Sequence, residues 1–134
     1  MLNRRIFVGA TIGFLPGSAC AQQVSDDYVQ VYYYDWNVVT RVPLTVEAVR
    51  ARYHASYLIR GVEFVDRFVA RLELGRLTDI EEMPSVIDYR LVIDVRRGDA
   101  PVQTYACDAF RLYLLGRNIG MPIDREFKDR FRLF

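Results

Sequence analysis

The residues best equipped to bind or to react form one run, Tyr32-Tyr33-Tyr34-Asp35-Trp36. Tyrosine and tryptophan combine a large apolar area with a polar tip, and both are enriched at binding hot spots. Tyr32, Tyr34 and Trp36, with Asp35 among them, are therefore candidate binding residues for a partner surface or a flat ligand. The competing reading is that these rings pack beneath helices. Asp35 and Asp108 are the candidate general acids, since an acid set among aromatic side chains holds its proton more tightly than one in water. Asp108 follows Cys107 and precedes Phe110 by two residues. A hydrolase built on either acid needs a second polar group within reach, such as His54 or Tyr105. An aspartate in such a place also serves to cap a turn or to pair with arginine. Asp88 and Asp94 sit six apart on one expected strand, about 20 Å by the usual rise, too far apart to flank a single bond.

Other chemistries lack their parts. Cys107 as a nucleophile requires a histidine beside it, and the one histidine is His54. The reading as a small buried apolar residue is the stronger one. With one histidine and no Cys-x-x-Cys pattern, a structural zinc site is not expected. The stretch Gly116 to Gly120 lacks the spacing and the lysine of a phosphate loop. There is no Gly-x-Ser-x-Gly elbow, and Ser25, Ser56 and Ser85 stand in no nucleophile context. No cofactor and no metal are expected. Basic residues number 18 against 17 acidic ones, which argues against a nucleic-acid partner. All but one of the basic residues are arginine, the exception being Lys128.

These residues need elements to position them. Tyr28 to Thr40 is rich in valine and aromatics and reads as a strand with two apolar faces. Thr45 is a suitable N-cap for a short helix running to about Tyr53. Ala55 to Arg60 reads as a short strand ended by Gly61. Val62, Val65, Phe68, Val69, Leu72 and Leu74 recur on one side of a second helix, with Glu63, Arg67 and Arg71 on its solvated side and Gly75 as its stop. Residues 78–85 read as an acidic loop. Ile87 to Arg96 alternates with a period of two, the pattern of a half-buried strand. The turn Arg97-Gly98-Asp99-Ala100-Pro101 returns it as Val102 to Cys107, and Phe110 to Leu115 follows as a third strand, closed by residues 116–120. Asp124 caps a last helix that turns Phe127 and Phe131 inward, with Asp124–Lys128 and Glu126–Arg130 as outward pairs, and Phe134 expected to cover the sheet or the helix end. The order β-α-β-α-β-β-β-α predicts an α+β two-layer sandwich, a mainly antiparallel sheet with its helices on one face.

Residues 1–21 read differently. Arg4 and Arg5 give a positive start, Ile6 to Leu15 is an apolar run, Pro16-Gly17 breaks it, and Ala19-Cys20-Ala21 offers small residues to a signal peptidase. That is the three-part plan of a secretory signal, and the run is too short to span a bilayer. The stretch Asn3-Arg4-Arg5-Ile6-Phe7-Val8 resembles the twin-arginine export signal of bacteria, a resemblance confined to these first residues. Asn3 stands where that family usually has Ser or Thr, and Gly9 where a basic residue is common; a general secretory signal is the alternative. The twin-arginine resemblance implies export of an already folded chain. Cleavage after Ala21 is favoured over lipidation at Cys20, because Gly17 occupies the position where a lipoprotein signal has leucine. Loss of Arg4 and Arg5 leaves residues 22–134 with a net charge of −1. They read as one small domain, opened by a polar leader, with a single cysteine and hence no internal disulfide.

The expected function is that of an exported protein of the bacterial cell envelope, periplasmic or secreted, which binds a partner protein without catalysis, as an inhibitor, immunity or accessory protein does. The alternatives are a small-ligand module using the aromatic strand 28–36, and a small hydrolase using Asp35 or Asp108. No nucleic acid is expected as a partner, and membrane contact only through the signal or a lipid on Cys20.

Overall fold

The computed structural model describes residues 26–131. The export-signal residues Arg4, Arg5, Ala19 and Ala21, together with Cys20, and the terminal Phe134 lie outside the described residues. Among the described residues, seven strands and three helices follow in the order β1 (Tyr28–Tyr33), α1 (Val46–Arg52), β2 (Ala55–Arg60), α2 (Val62–Leu72), β3 (Thr78–Asp79), β4 (Leu91–Arg96), β5 (Gln103–Cys107), β6 (Arg111–Leu114), β7 (Ile119–Pro122) and α3 (Arg125–Arg130), with one 3-10 turn at Leu74–Arg76. The strands form one antiparallel sheet in the order β2-β1-β4-β5-β6-β7-β3. The α+β class stands.

The layering differs from the one-sided sandwich. Along β1, Val29, Val31 and Tyr33 point to one face, where Leu91, Ile93 and Val95 of β4, Tyr105 and Cys107 of β5 and Leu112 of β6 join them. Val65 and Leu72 of α2 and Phe127 and Phe131 of α3 close this main core. The opposite face carries Val92 and Ala106, with half-buried Tyr32 and Tyr34, under Leu44, Val46 and Val49. The helices are thus divided between the faces, α1 on one and α2 with α3 on the other. The cause is an apolar patch on that face: Val92 breaks an otherwise polar row, Asp88, Arg90, Asp94 and Arg96, and with its strand neighbours Ala106 and Tyr32 it needs cover. Fully burying Leu44, Val46 and Val49 stabilises by about 1.5–3 kcal/mol each.

Two strands are additional to the expected order. β3 is only two residues long and hydrogen-bonds β7. Gly120 permits this pairing, because a Cβ there would lie 2.6 Å from Ile80 Cδ1 and 2.9 Å from the Leu112 carbonyl. Thr45 and Asp124 cap their helices as expected, accepting from the N–H groups of Ala48 and Phe127. The second helix stops earlier than Gly75, at Glu73, which takes the left-handed conformation (φ 55°) and donates its N–H to Ala70. On α3 the cations go elsewhere than to Asp124 and Glu126: Lys128 sits over the Trp36 ring, and Arg130 donates to the Arg71 carbonyl.

Candidate functional site: the loop end of the sheet

One end of the sheet gathers most of the candidate residues. The backbone bonds run across it: Tyr34 N–H to the Arg90 carbonyl, Arg90 N–H to Cys107, Asp108 N–H to Arg111, and Ile123 N–H to Phe110. Strand β1 stops at Tyr33, well short of Thr40, for a local reason. The Asp35 side chain accepts from the Asn37 N–H at 2.9 Å, an Asx turn that bends the chain off the sheet. From there residues 35–44 loop out and return at Leu44.

A single buried unit ties both ends of this loop. The Arg90 guanidinium is shut away from water and donates to the carbonyls of Asp35 (2.9 Å) and Val38. Its other side grips the Asp88 carboxylate at 2.8 Å, and Asp88 accepts the Leu44 N–H at 2.8 Å with its second oxygen. The Tyr34 ring faces the guanidinium, 5.4 Å from its carbon. Buried arginine is stable only when its donors are matched, and here the matching groups are loop carbonyls. The loop's shape is therefore coupled to the core. Its crest presents Val38, Val39 and Val42 to solvent, Val39 being 93% exposed.

The neighbouring turn is built the same way with an acid at its centre. Asp108 Oδ1 accepts from the N–H groups of Phe110 and Arg111, both at 2.7 Å, and Oδ2 accepts from the Tyr113 hydroxyl at 3.2 Å. Burial and the Asp108 charge push the Tyr113 phenol up to about 12. The turn leaves Phe110 74% exposed at the same end of the sheet as the valines.

The predicted site residues fall as follows. Tyr32 and Tyr34 lie half-buried on the α1 face, Tyr32 against Tyr53 and Tyr34 against His54 with ring centroids 4.3 Å apart. Trp36 packs on the main core beside Tyr33 and under Lys128. The aromatic run is thus split between two faces, and Tyr34, Asp35 and Trp36 form the base of the loop. The Asp35 N–H donates to His54 Nδ1 at 2.9 Å, so the neutral ring carries its proton on Nε2. Both candidate acids spend an oxygen on capping a turn; Tyr105 donates to Gln103. Cys107 is fully buried in the main core, and burial together with the Asp108 charge pushes its thiol well above the ordinary range, which keeps it from forming a thiolate. Asp94 pairs with Arg50 of α1 and accepts from Thr104.

Arg90, Val38, Val39, Val42 and Phe110 are missing from the sequence-based candidates. A signal for them exists: Asp35-Trp36-Asn37 is an Asx-turn pattern that interrupts the strand reading and turns the following valines into loop residues. Among the described residues no group of three or more His, Cys, Asp or Glu is placed to hold a metal ion. Among them too, no helix is long and apolar enough to cross a membrane. Comparison with protein families, curated proteins and solved structures finds no match to this chain.

Proposed function

We propose that this chain is an exported protein of the bacterial cell envelope that binds a partner protein without catalysis, using the loop end of the sheet. The observation that carries the reading is the exposure of Val38, Val39 and Val42 on a loop held from within by Arg90 and Asp88, beside a capped turn that exposes Phe110. Exposed apolar side chains cost solubility, and a loop that fixes them in place loses little further entropy when a partner covers them. Tyr34, Asp35 and Trp36 then support the binding surface from below. Residues 1–21 serve as the export signal, with Arg4 and Arg5 at its start and cleavage after Ala21, so that residues 22–134 work in the periplasm or outside the cell.

The test is affinity capture from an envelope extract of the native host, comparing the wild-type chain with the Val39→Asp/Val42→Asp and Phe110→Asp variants. A protein retained by the wild type and lost by correctly folded variants supports the reading. Retention of the same proteins by all three sinks the loop as the contact. Mass spectrometry of the chain from that host tests the signal, and an intact Met1 end overturns export with cleavage.

A further inference from the structure

On the main-core face beside β2, a cavity of about 220 Å³ opens between Tyr57 and Ile59 of β2, Phe68 and Arg71 of α2, and Arg130 and Phe131 at the end of α3. Its walls are three aromatic rings and an isoleucine, and its rim carries two guanidinium groups. Neither Arg71 nor Arg130 pairs with a carboxylate among the described residues: Arg130 donates to a backbone carbonyl and lies near the Phe127 ring, and Arg71 makes no ion pair. Burial pushes the Tyr57 phenol up while the Arg71 charge pulls it down, which leaves a protonated hydroxyl, a third donor, among them at neutral pH. Small-molecule sites are commonly 300–1,000 Å³; this one is the size of a single large side chain.

Beside the cavity runs an open sheet edge. Among the described residues, β2 ends the strand order and pairs with β1 alone. The Gly61 N–H bonds the Asp27 carbonyl, which fixes the phase of the ladder: residues 55, 57 and 59 turn their backbone groups toward β1. Ser56, Leu58 and Arg60 turn theirs outward, where no described residue meets them. The strand is six residues long, has no proline, and exposes Leu58 on the other face. Edges of this length are usually blunted or covered.

We propose that the β2 edge is a docking strand for an extended acidic peptide segment of a partner. The segment adds an eighth strand through the outward groups of Ser56, Leu58 and Arg60. On the cavity face it places an apolar or aromatic side chain between Tyr57, Ile59 and Phe68. Two residues along, about 7 Å away on the same face, it places an Asp or Glu against Arg71 and Arg130. Main-chain bonds supply affinity in this mode and the alternate side chains supply specificity. Charge complementarity selects the occupant: Arg60, Arg71 and Arg130 line one edge and lack carboxylate partners among the described residues. A second copy of the chain would bring Arg60 and its companions toward a like-charged edge. The proposal is independent of the loop-end reading, whose residues lie at other positions of the chain.

Panning a random eight-residue peptide library on the 134-residue chain tests it. The expected winners carry an apolar or aromatic residue with Asp or Glu two positions away. A synthetic winner should bind at least tenfold more weakly to Arg71→Gln and to Arg130→Gln, both surface changes whose folding circular dichroism can verify. N-methylation of alternate amides in the peptide should weaken it as much, a readout that needs no variant of the protein. Winners without an acid, or affinities unchanged in both arginine variants, overturn the proposal. So does 3-phenylpropionate competing at the peptide's own affinity, which would make the site one for small carboxylates. A concentration-dependent dimer that blocks peptide binding and vanishes in Leu58→Pro would assign the edge to a second copy and overturn it as well.

Discussion

Two arginine–aspartate pairs flank α1, and they are built in opposite senses. In the Arg90–Asp88 pair the cation is the buried partner, with 8% of its side chain exposed against 41% for the acid. In the Arg50–Asp94 pair the acid is the more buried, 13% against 36%. The difference decides what each pair can do. Asp94 sits on a strand whose backbone is already satisfied by the sheet, so its pair with Arg50 adds only a strap from α1 to β4, shared with the Thr104 hydroxyl. Arg90 has donors left after meeting Asp88, and it spends them on carbonyls that have no sheet partner. A buried arginine can thus dictate the course of a loop, whereas a half-exposed one only fastens what is already formed.

The sharpest way to break that contrast is Arg90→Met. It keeps much of the apolar stem and removes every side-chain donor, leaving the Val38 carbonyl without its partner, the Asp35 carbonyl with only the Val38 N–H at 3.3 Å, and Asp88 with only Leu44. A loss of about 2–4 kcal/mol is expected, less than for a fully sealed ion pair because Asp88 reaches water. Chemical denaturation measures it. Exchange of the Leu44 amide should accelerate along with the loop, and capture of the partner should fail even where the fold persists. Arg90→Lys should recover little, since an ammonium cannot span the carboxylate and two carbonyls at once.

A second effect of this end of the sheet appears in alkali. Tyr113 has its phenol raised to about 12 by burial and by Asp108, while an unfolded tyrosine titrates near 10. The folded state therefore holds this proton more tightly. The stabilisation is complete below pH 10 and is lost as pH rises toward 12. Stability of the wild type should fall through that window, and Tyr113→Phe should fall less steeply. Equal slopes for the two proteins would mean that neither burial nor Asp108 holds the Tyr113 proton in solution.

Arg50→Met probes the other pair and should cost at most about 1 kcal/mol, as exposed pairs do. Asp94 keeps the Thr104 hydroxyl as a donor, and Val46 and Val49 continue to hold α1 on the sheet. A cost as large as that of Arg90→Met would erase the distinction between dictating a loop and fastening a helix.

How much of this was legible depended on whether the controlling interaction was local. The caps at Thr45 and Asp124, the apolar stripe of α2 and the alternation of β4 are set by residues within a few positions of each other, and sequence patterns report them. The end of β1 is also local, through Asp35 and Asn37, yet the strand reading ran past it to Thr40 because the valines that follow look like strand residues. The loop beyond it was not legible, because Arg90 lies 52 positions from Val38 and looks in sequence like any outward residue of an alternating strand. The same holds for β3, whose pairing depends on Gly120 lacking a side chain in front of Ile80. The division of the helices between two faces turned on Val92, set in a polar row of β4 but placed by strand pairing between Tyr32 and Ala106.

The smallest expected effect is that of Trp36→Phe, at a residue which the sequence marks for binding and the structure packs against the main core. Its indole N–H is buried and, among the described residues, has no hydrogen-bond partner. An unmet donor costs about 1–3 kcal/mol, so a ring without one should be tolerated. Trp36→Phe keeps an aromatic face for Tyr33 and Lys128, loses some packed area, and removes the unmet donor. These effects oppose each other, and a net change within about 1 kcal/mol is expected, whereas Trp36→Ala should cost about 3–5 kcal/mol. Partner capture then separates the two roles of the residue. If Trp36 only supports the loop, Trp36→Phe leaves capture intact. If it touches the partner through the exposed part of its second ring, capture weakens although stability does not, and the contact surface extends from the valine crest down to the base that Arg90 holds.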